Sequence, residues 1–323
     1  MAPTEFRLLI VNHQPDEFLP FIRGHVAEKD IFVCESARDL PAAIERHRPE
    51  IAFAQRMPDT TPRDYAPLCN AQGIRWIQVC GVGIEHMADW DADRVVVTNC
   101  AGALSDFNAE YIFGAIMSIN AGFATYERQQ RQRLWQVHER RGLKLQTVLI
   151  IGLGQIGGRV AARAKAFGMR VISIRANVRP TENVDEVLPI DRLAEAMPKA
   201  DFIVVIVPAT PRTSGLMSRE MLALAKPGAV LVNAARGGIV DETALAAQLR
   251  AGRLKAAVMD VFAQEPLPSD SPLWDVENLH ITPHMMGMVE DWRRYWASVF
   301  LENLDNFRAG RPLRNIVDPK ARY

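Results

Sequence analysis

The chain has 323 residues, 48% of them hydrophobic, with 38 basic residues against 38 acidic ones and a formal net charge of zero. A single hydrophobic core stops growing at roughly 250–300 residues, so this length predicts two domains. The charge balance excludes a global field that would hold the chain to nucleic acid or an anionic membrane, and it favours a small molecule as partner.

The opening stretch MAPTEFRLLIVNHQPDEF lacks the basic start, long apolar run and cleavage site of a signal peptide. No apolar run reaches the ~18 residues of a membrane span, so a cytoplasmic protein is expected. Cys34, Cys69, Cys80 and Cys100 show neither C-x-x-C spacing nor a neighbouring histidine cluster. They read as reduced, packed thiols, and no metal is expected.

From residue 5 to 100 short β-rich runs recur, FRLLIV, IFVCES, IAFAQR, WIQVC and RVVVTN, with helical stretches such as LPAAIERHRP between them. That alternation predicts a parallel α/β sheet. One long helix is predicted over SDFNAEYIFGAIMSINAGFATYERQQ, with Ser105 as N-cap and apolar residues on most faces, as in a buried connector. The basic stretch ERQQRQRLWQVHERRGLK after it reads as a solvated or subunit-contacting arm, since the neutral chain shows no nucleic-acid-binding motif.

From residue 146 the alternation restarts with QTVLII, MRVISI, DFIVVIV, AVLVNAA, AAVMDVF and LHITP, each short and apolar enough for a strand buried on both faces. A second doubly wound domain is predicted. The last helix, carrying Trp292, Trp296, Phe300 and Leu304 with Gly310 as its stop, is expected to return to the first lobe.

The second domain opens on TVLIIGLGQIGGRVAARAKAFG, a G-x-G-x-x-G of Gly152, Gly154 and Gly157 between an apolar strand and a helix. In that context Gly152 makes a tight turn, Gly154 admits a pyrophosphate and Gly157 packs helix on strand. The helix N-terminus at Gln155 and Ile156 offers N–H groups to the anion. Ile156, Val160, Ala164 and Phe167 are expected to form the buried stripe of that helix.

Arg175 ends the next strand, 18 residues after Gly157, where NAD-binding folds keep an acid for the ribose 2′-OH, and no acid follows until Glu182. A guanidinium there can pair with a 2′-phosphate, with Arg179 as a second contact, so NADP(H) is the expected cofactor and NAD(H) the other possibility.

Chemistry enters with VNAARGGIVDETAL, VMDVFAQEPLP and LHITPHMMG, each placing polar residues at the carboxyl end of a predicted strand, where ligands collect. Hydride addition to a 2-oxo acid builds negative charge on the carbonyl oxygen and calls for an anion clamp and a proton donor. Arg236 suits the clamp and His284 the donor, with Glu265 orienting the imidazole and balancing its charge.

These stretches, with VPATPRTSGLM, ENLHITPHMMG, GRPLRNIVD and, more loosely, CGVGIEHM and VTNCAGALSDFNAE, resemble the D-isomer-specific 2-hydroxyacid dehydrogenases. The resemblance implies a flavodoxin-like substrate domain, residues 1–104 and 290–323, interrupted by a Rossmann cofactor domain, residues 105–289, with the active site in the cleft. It assigns Arg236, Glu265 and His284 to catalysis and Asp260 to the nicotinamide carboxamide. Val82 and Gly83 then give backbone N–H groups to the substrate carboxylate, and Pro208, Thr213 and Ala234 line the cofactor.

It also implies a homodimer through the Rossmann domain and the arm around Trp135, and no further regulatory domain in a chain ending at Tyr323. The NADP-preferring glyoxylate and hydroxypyruvate reductases are the most similar branch, which implies reduction to the D-2-hydroxy acid. Met285 and Met286, and Arg56 or Met57 in AQRMPDTT, depart from the family pattern at positions that can shape a different pocket. Two other readings stand: a non-enzymatic NAD(P)-binding sensor or corepressor on the same scaffold, and an NAD-preferring dehydrogenase of another 2-hydroxy acid.

Overall fold

The computed structural model describes residues 6–322. The first five residues of the N-terminal stretch and Tyr323 lie outside the described residues. The chain divides into two compact units, residues 1–104 with 290–323 and residues 105–289.

In chain order the strands are β1 (Leu8–Val11), β2 (Ile31–Cys34), β3 (Ile51–Ala54), β4 (Trp76–Val79), β5 (Val96–Thr98), β6 (Thr147–Ile151), β7 (Arg170–Ile174), β8 (Glu186–Leu188), β9 (Phe202–Val205), β10 (Ala229–Asn233), β11 (Leu254–Met259) and β12 (Leu279–Ile281). The α-helices are α1 (Leu19–Ile22), α2 (Leu40–His47), α3 (Pro62–Asn70), α4 (Ser105–Ala121), α5 (Phe123–Arg131), α6 (Gln155–Ala166), α7 (Leu193–Ala196), α8 (Arg219–Ala223), α9 (Glu242–Arg250) and α10 (Trp292–Arg308).

In the first unit β1 to β5 form a parallel sheet in the order β2-β1-β3-β4-β5, the flavodoxin-like order. β1, β3 and β4 are buried along their whole length, which is why their sequences are unbroken apolar runs. α10 closes one face: Phe300 stacks on Trp76 with ring centroids 5.3 Å apart and meets Phe53 at 4.8 Å. Buried Asn303 of α10 donates to Gln78 of β4 at 3.1 Å and accepts from Arg314 N at 2.7 Å, so polar groups as well as aromatic rings tie this helix down.

His86, in the loop after β4, lies inside the same unit edge-on to Tyr65, and its Nε2 finds no hydrogen-bond partner among the described residues. Burial pushes its imidazole down from the ordinary 6.5 to about 4, against Glu85 and with help from Arg56 and Arg322. Below pH 6.5 the unfolded chain therefore takes a proton that the folded chain refuses until pH reaches about 4. The stability that neutral His86 supports is complete above pH 6.5 and falls by about 3 kcal/mol toward pH 4. Urea unfolding at pH 7 and pH 4.5 should show a smaller acid loss in His86→Asn than in the native chain; equal losses would contradict this.

In the second unit β6 to β12 form a parallel sheet in the order β12-β11-β10-β9-β6-β7-β8. Counted from β6, this is the dinucleotide-binding order with a seventh strand at one edge, and its switch point lies between β6 and β9. α4 and α6 pack on one face through Ile112, Phe113, Ile116, Val160 and Ala164. The other face is covered through Leu193, Leu222, Leu245 and Leu249.

Three local expectations need correction. The long helix is two: Gly122, at φ +79, ends α4 and starts α5, because the left-handed backbone there cannot continue a helix. Ser105 is the first residue of α4 and buried, not a cap outside it. Phe167 lies past the end of α6, 45% exposed against Phe113, so the buried stripe is Gly157, Val160, Ala161 and Ala164, with Ile156 packed partly buried against the same core as expected.

All four cysteines are buried and free, and burial pushes the thiols of Cys69 and Cys100 up to about 11 and about 12. Among the described residues no helix is long and apolar enough to cross a membrane.

Candidate active site

β6 ends at Ile151, and Gly152 turns the chain at φ +112 with its N–H on Ile174 O at 3.0 Å. A Cβ at Gly152 would sit 2.5 Å from Ile206 O, and one at Gly157 would sit 2.2 Å from Gly152 O. Backbone therefore fills both positions, and neither tolerates a side chain. At Gly154, the N-cap of α6, nothing lies within 4 Å of an added Cβ.

Gln155 and Ile156 form the first turn of α6, whose N–H groups have no helical acceptors. This open, positively poised end, at the switch point of the sheet, fits the pyrophosphate of a dinucleotide. Gly152, Gly154, Gln155, Ile156 and Gly157 are the residues that would hold it.

Arg175 follows β7 directly, and its N–H on Leu188 O at 3.0 Å fixes it beside the end of β8, a strand the sequence reading missed. The half-buried side chain donates from Nη1 to Thr181 Oγ1 at 3.3 Å, and Thr181 in turn donates to Arg179 O at 3.1 Å. Arg179 itself is exposed. After β9, buried Thr213 donates to Pro208 O at 2.6 Å and accepts from Thr210 N at 2.9 Å, so its hydroxyl braces this loop. Pro208 is exposed, whereas Ala234, just past β10, is buried with its N–H on Val205 O.

Arg236 lies three residues past β10, half-buried, with Nη1 on Ala235 O at 2.8 Å. A Cβ on the next residue, Gly237, would lie 1.9 Å from Phe262 O. The arginine loop thus packs directly on the loop after β11 that carries Glu265. Glu265 accepts from Phe262 N at 2.9 Å through Oε1 and meets His284 Nδ1 at 2.7 Å through Oε2. A carboxylate only accepts here, so Nδ1 carries a hydrogen and Nε2 is the ring atom left for proton exchange. The ring is about half exposed.

His284 adopts φ +50, a left-handed conformation that costs a non-glycine residue about 1–2 kcal/mol. Asp260, 1% exposed at the end of β11, supports it: Asp260 O accepts His284 N at 2.8 Å. The carboxylate accepts Thr282 Oγ1 at 2.6 Å and Met285 N at 2.9 Å on Oδ1, and Met286 N at 3.0 Å on Oδ2. Loop anchoring by Asp260 is a role the sequence reading did not contain, and it leaves Oδ2 a second lone pair for another donor. Met286 packs partly buried against the core of this unit rather than standing free.

In the first unit Val82 and Gly83 follow β4. Val82 is 48% exposed, and its carbonyl accepts from Asn99 Nδ2 at 2.9 Å. At the same carboxyl ends of the strands, Asn12 Nδ2 and Gln55 Oε1 are buried without hydrogen-bond partners among the described residues, as is His86 Nε2 beyond β4. Met57 is 4% exposed within this core, which gives it a packing role, while Arg56 is exposed. Among the described residues no group of three or more His, Cys, Asp or Glu side chains is arranged to hold a metal ion.

Residues 113–286 match the family model of the D-isomer specific 2-hydroxyacid dehydrogenase NAD binding domain. The chain is 31% identical to a glyoxylate reductase of Korarchaeum cryptofilum over 97% of its own length and 96% of that protein's. It is 36% identical to a D-3-phosphoglycerate dehydrogenase of Mycobacterium leprae over 70% of its length, a match that spans only 43% of that longer protein. Its structure matches that of a D-isomer specific 2-hydroxyacid dehydrogenase from Xanthobacter autotrophicus, solved with NADPH and MES, at a TM-score of 0.83 and 26% identity. That match covers 98% of this chain and all of the other.

Proposed function

Because the chain belongs to the D-isomer specific 2-hydroxyacid dehydrogenase family, and is therefore an oxidoreductase with a dinucleotide-binding domain, we propose that it reduces glyoxylate, hydroxypyruvate or a similar small 2-oxo acid to the D-2-hydroxy acid with NADPH. The observation that carries the reading is the 2.7 Å hydrogen bond from His284 Nδ1 to Glu265, which leaves Nε2 to deliver the proton.

Gly152, Gly154, Gln155, Ile156 and Gly157 would hold the nicotinamide dinucleotide, which when bound would supply a hydride to C2 of the substrate. The chain's own residues do the rest. Nε2 of the imidazolium gives its proton to the carbonyl oxygen, and Glu265 keeps the ring oriented and its charge balanced while it does so. Arg236 clamps the carbonyl and carboxylate oxygens. Asp260 would face the carboxamide of the bound cofactor, and Pro208, Thr213 and Ala234 would line it.

Arg175, with Arg179 beyond it, supports NADPH, because a cation stands where an acid would select NADH; NAD(H) remains a usable second cofactor. The pairing of the relatives, a glyoxylate reductase and a D-3-phosphoglycerate dehydrogenase, favours one specific alternative, an NAD-preferring dehydrogenase of a larger 2-hydroxy acid. Residues 1–104 with 290–323 act in this reading as the substrate domain, and the protein works in the cytoplasm. Trp135 at 97% and Val137 at 81% exposure support a homodimer through the arm of the other unit.

Initial rates with glyoxylate, hydroxypyruvate and 3-phosphohydroxypyruvate, each with NADPH and with NADH, test the assignment. The highest kcat/KM is expected with one of the two smaller acids and NADPH. A preference for the phosphorylated acid with NADH would replace this reading by the alternative.

A further inference from the structure

The reading above makes His284 the proton donor; what holds His284 in place extends to a helix far from it in sequence. Tyr111, on α4, places its hydroxyl 2.5 Å from Thr282 Oγ1, across 171 positions of the chain. Thr282 has one hydrogen, and Asp260 Oδ1 takes it at 2.6 Å. The phenol hydrogen must therefore be the one that bridges Tyr111 and Thr282, which orders the chain Tyr111 O–H to Thr282 O–H to Asp260. Burial and the nearby Asp260 charge push the phenol up, against the Thr282 hydrogen bond, so it stays a donor.

Asp260 in turn fixes the backbone of residues 284–286 through its carbonyl and both carboxylate oxygens. His284 sits in that segment with a left-handed backbone, a conformation that persists only where the surroundings determine it. Hydrogen bonds in series polarise one another, so a donor at the far end strengthens the hold at the near end. We propose that Tyr111 is a positioning residue of the reaction: through Thr282 and Asp260 it holds the backbone that aims His284. The proposal rests on the function assigned above.

Four variants test it: Tyr111→Phe, Thr282→Val, Thr282→Ser and the double variant Tyr111→Phe/Thr282→Val. Loss of one hydrogen bond from such a chain corresponds to about a fivefold change, and loss of both hydroxyl contacts to some tens of fold. Tyr111→Phe should therefore lower kcat about fivefold and Thr282→Val more, with KM for the 2-oxo acid within about twofold of the native value. Thr282→Ser, which keeps the hydroxyl, should return most of the rate. The double variant should be no slower than Thr282→Val alone, since the two side chains act in one series.

Amide hydrogen exchange at Met285 and Met286 gives a readout independent of turnover and should quicken in Tyr111→Phe while the unfolding midpoint stays put. Native kcat and native exchange in Tyr111→Phe would overturn the proposal, as would rate losses that multiply in the double variant. If Thr282→Val does not fold, Tyr111→Phe decides alone, since it keeps the ring. A native chain that turns over no 2-oxo acid would defeat the assigned function instead, and the exchange result would still decide whether Tyr111 holds the loop.

Discussion

Replacing His284 with alanine is expected to lower kcat by roughly 10²- to 10⁴-fold, the usual contribution of a positioned general acid. The side chain is about half exposed, so the loss should come without loss of folding, and the unfolding midpoint is the control. Glu265→Gln should cost less, because an amide oxygen still accepts from Nδ1 but no longer balances the imidazolium. Cofactor affinity should be nearly native in both variants, since neither residue lies on the Gly152–Gly157 turn. Full turnover by His284→Ala would remove the proton-transfer mechanism altogether.

Arg175→Asp should invert the cofactor preference. The substitution deletes a charge-assisted donor fork, worth about 3–4 kcal/mol against a phosphate, and sets a carboxylate against the same anion. On that scale Kd for NADPH rises by a few hundred-fold, whereas Kd for NADH changes by no more than about threefold or improves. Titration of each dinucleotide against intrinsic tryptophan fluorescence measures both numbers. Equal losses for the two cofactors would make Arg175 an ordinary partly exposed arginine and leave NADPH without its selecting residue.

Much of this was legible in the sequence, and the exceptions have physical reasons. Eleven strands are short apolar runs and could be read directly, although the edge strands β2 and β12, the latter expected to be buried on both faces, are only partly buried; β8, three residues with Glu186 at its start, carries no such run. The G-x-G-x-x-G sits where the backbone is crowded at Gly152 and Gly157 and open at Gly154, so its spacing encodes a shape. Glu265 and His284 stand close because both follow strand ends on the same side of one sheet, β11 and β12, which is what placing them there predicted.

Other features had no local signal. Tyr111 reads as one more large residue on a helix apolar on most faces, and only the fold brings Thr282 to it. For Asp260 the family resemblance implied a cofactor-facing role, but the amides of Met285 and Met286 that it accepts from are backbone groups, which a sequence never displays. The break at Gly122 was signalled by a glycine alone, and isolated glycines also occur inside helices, as Gly114 does in α4.

Chiral analysis of the product tests the central claim most directly. A 2-oxo acid incubated with the native protein and NADPH should yield the D-2-hydroxy acid, with no comparable yield from His284→Ala. Tight dinucleotide binding with no hydroxy acid formed from any 2-oxo acid would contradict the account and point to a sensor built on an enzyme's fold.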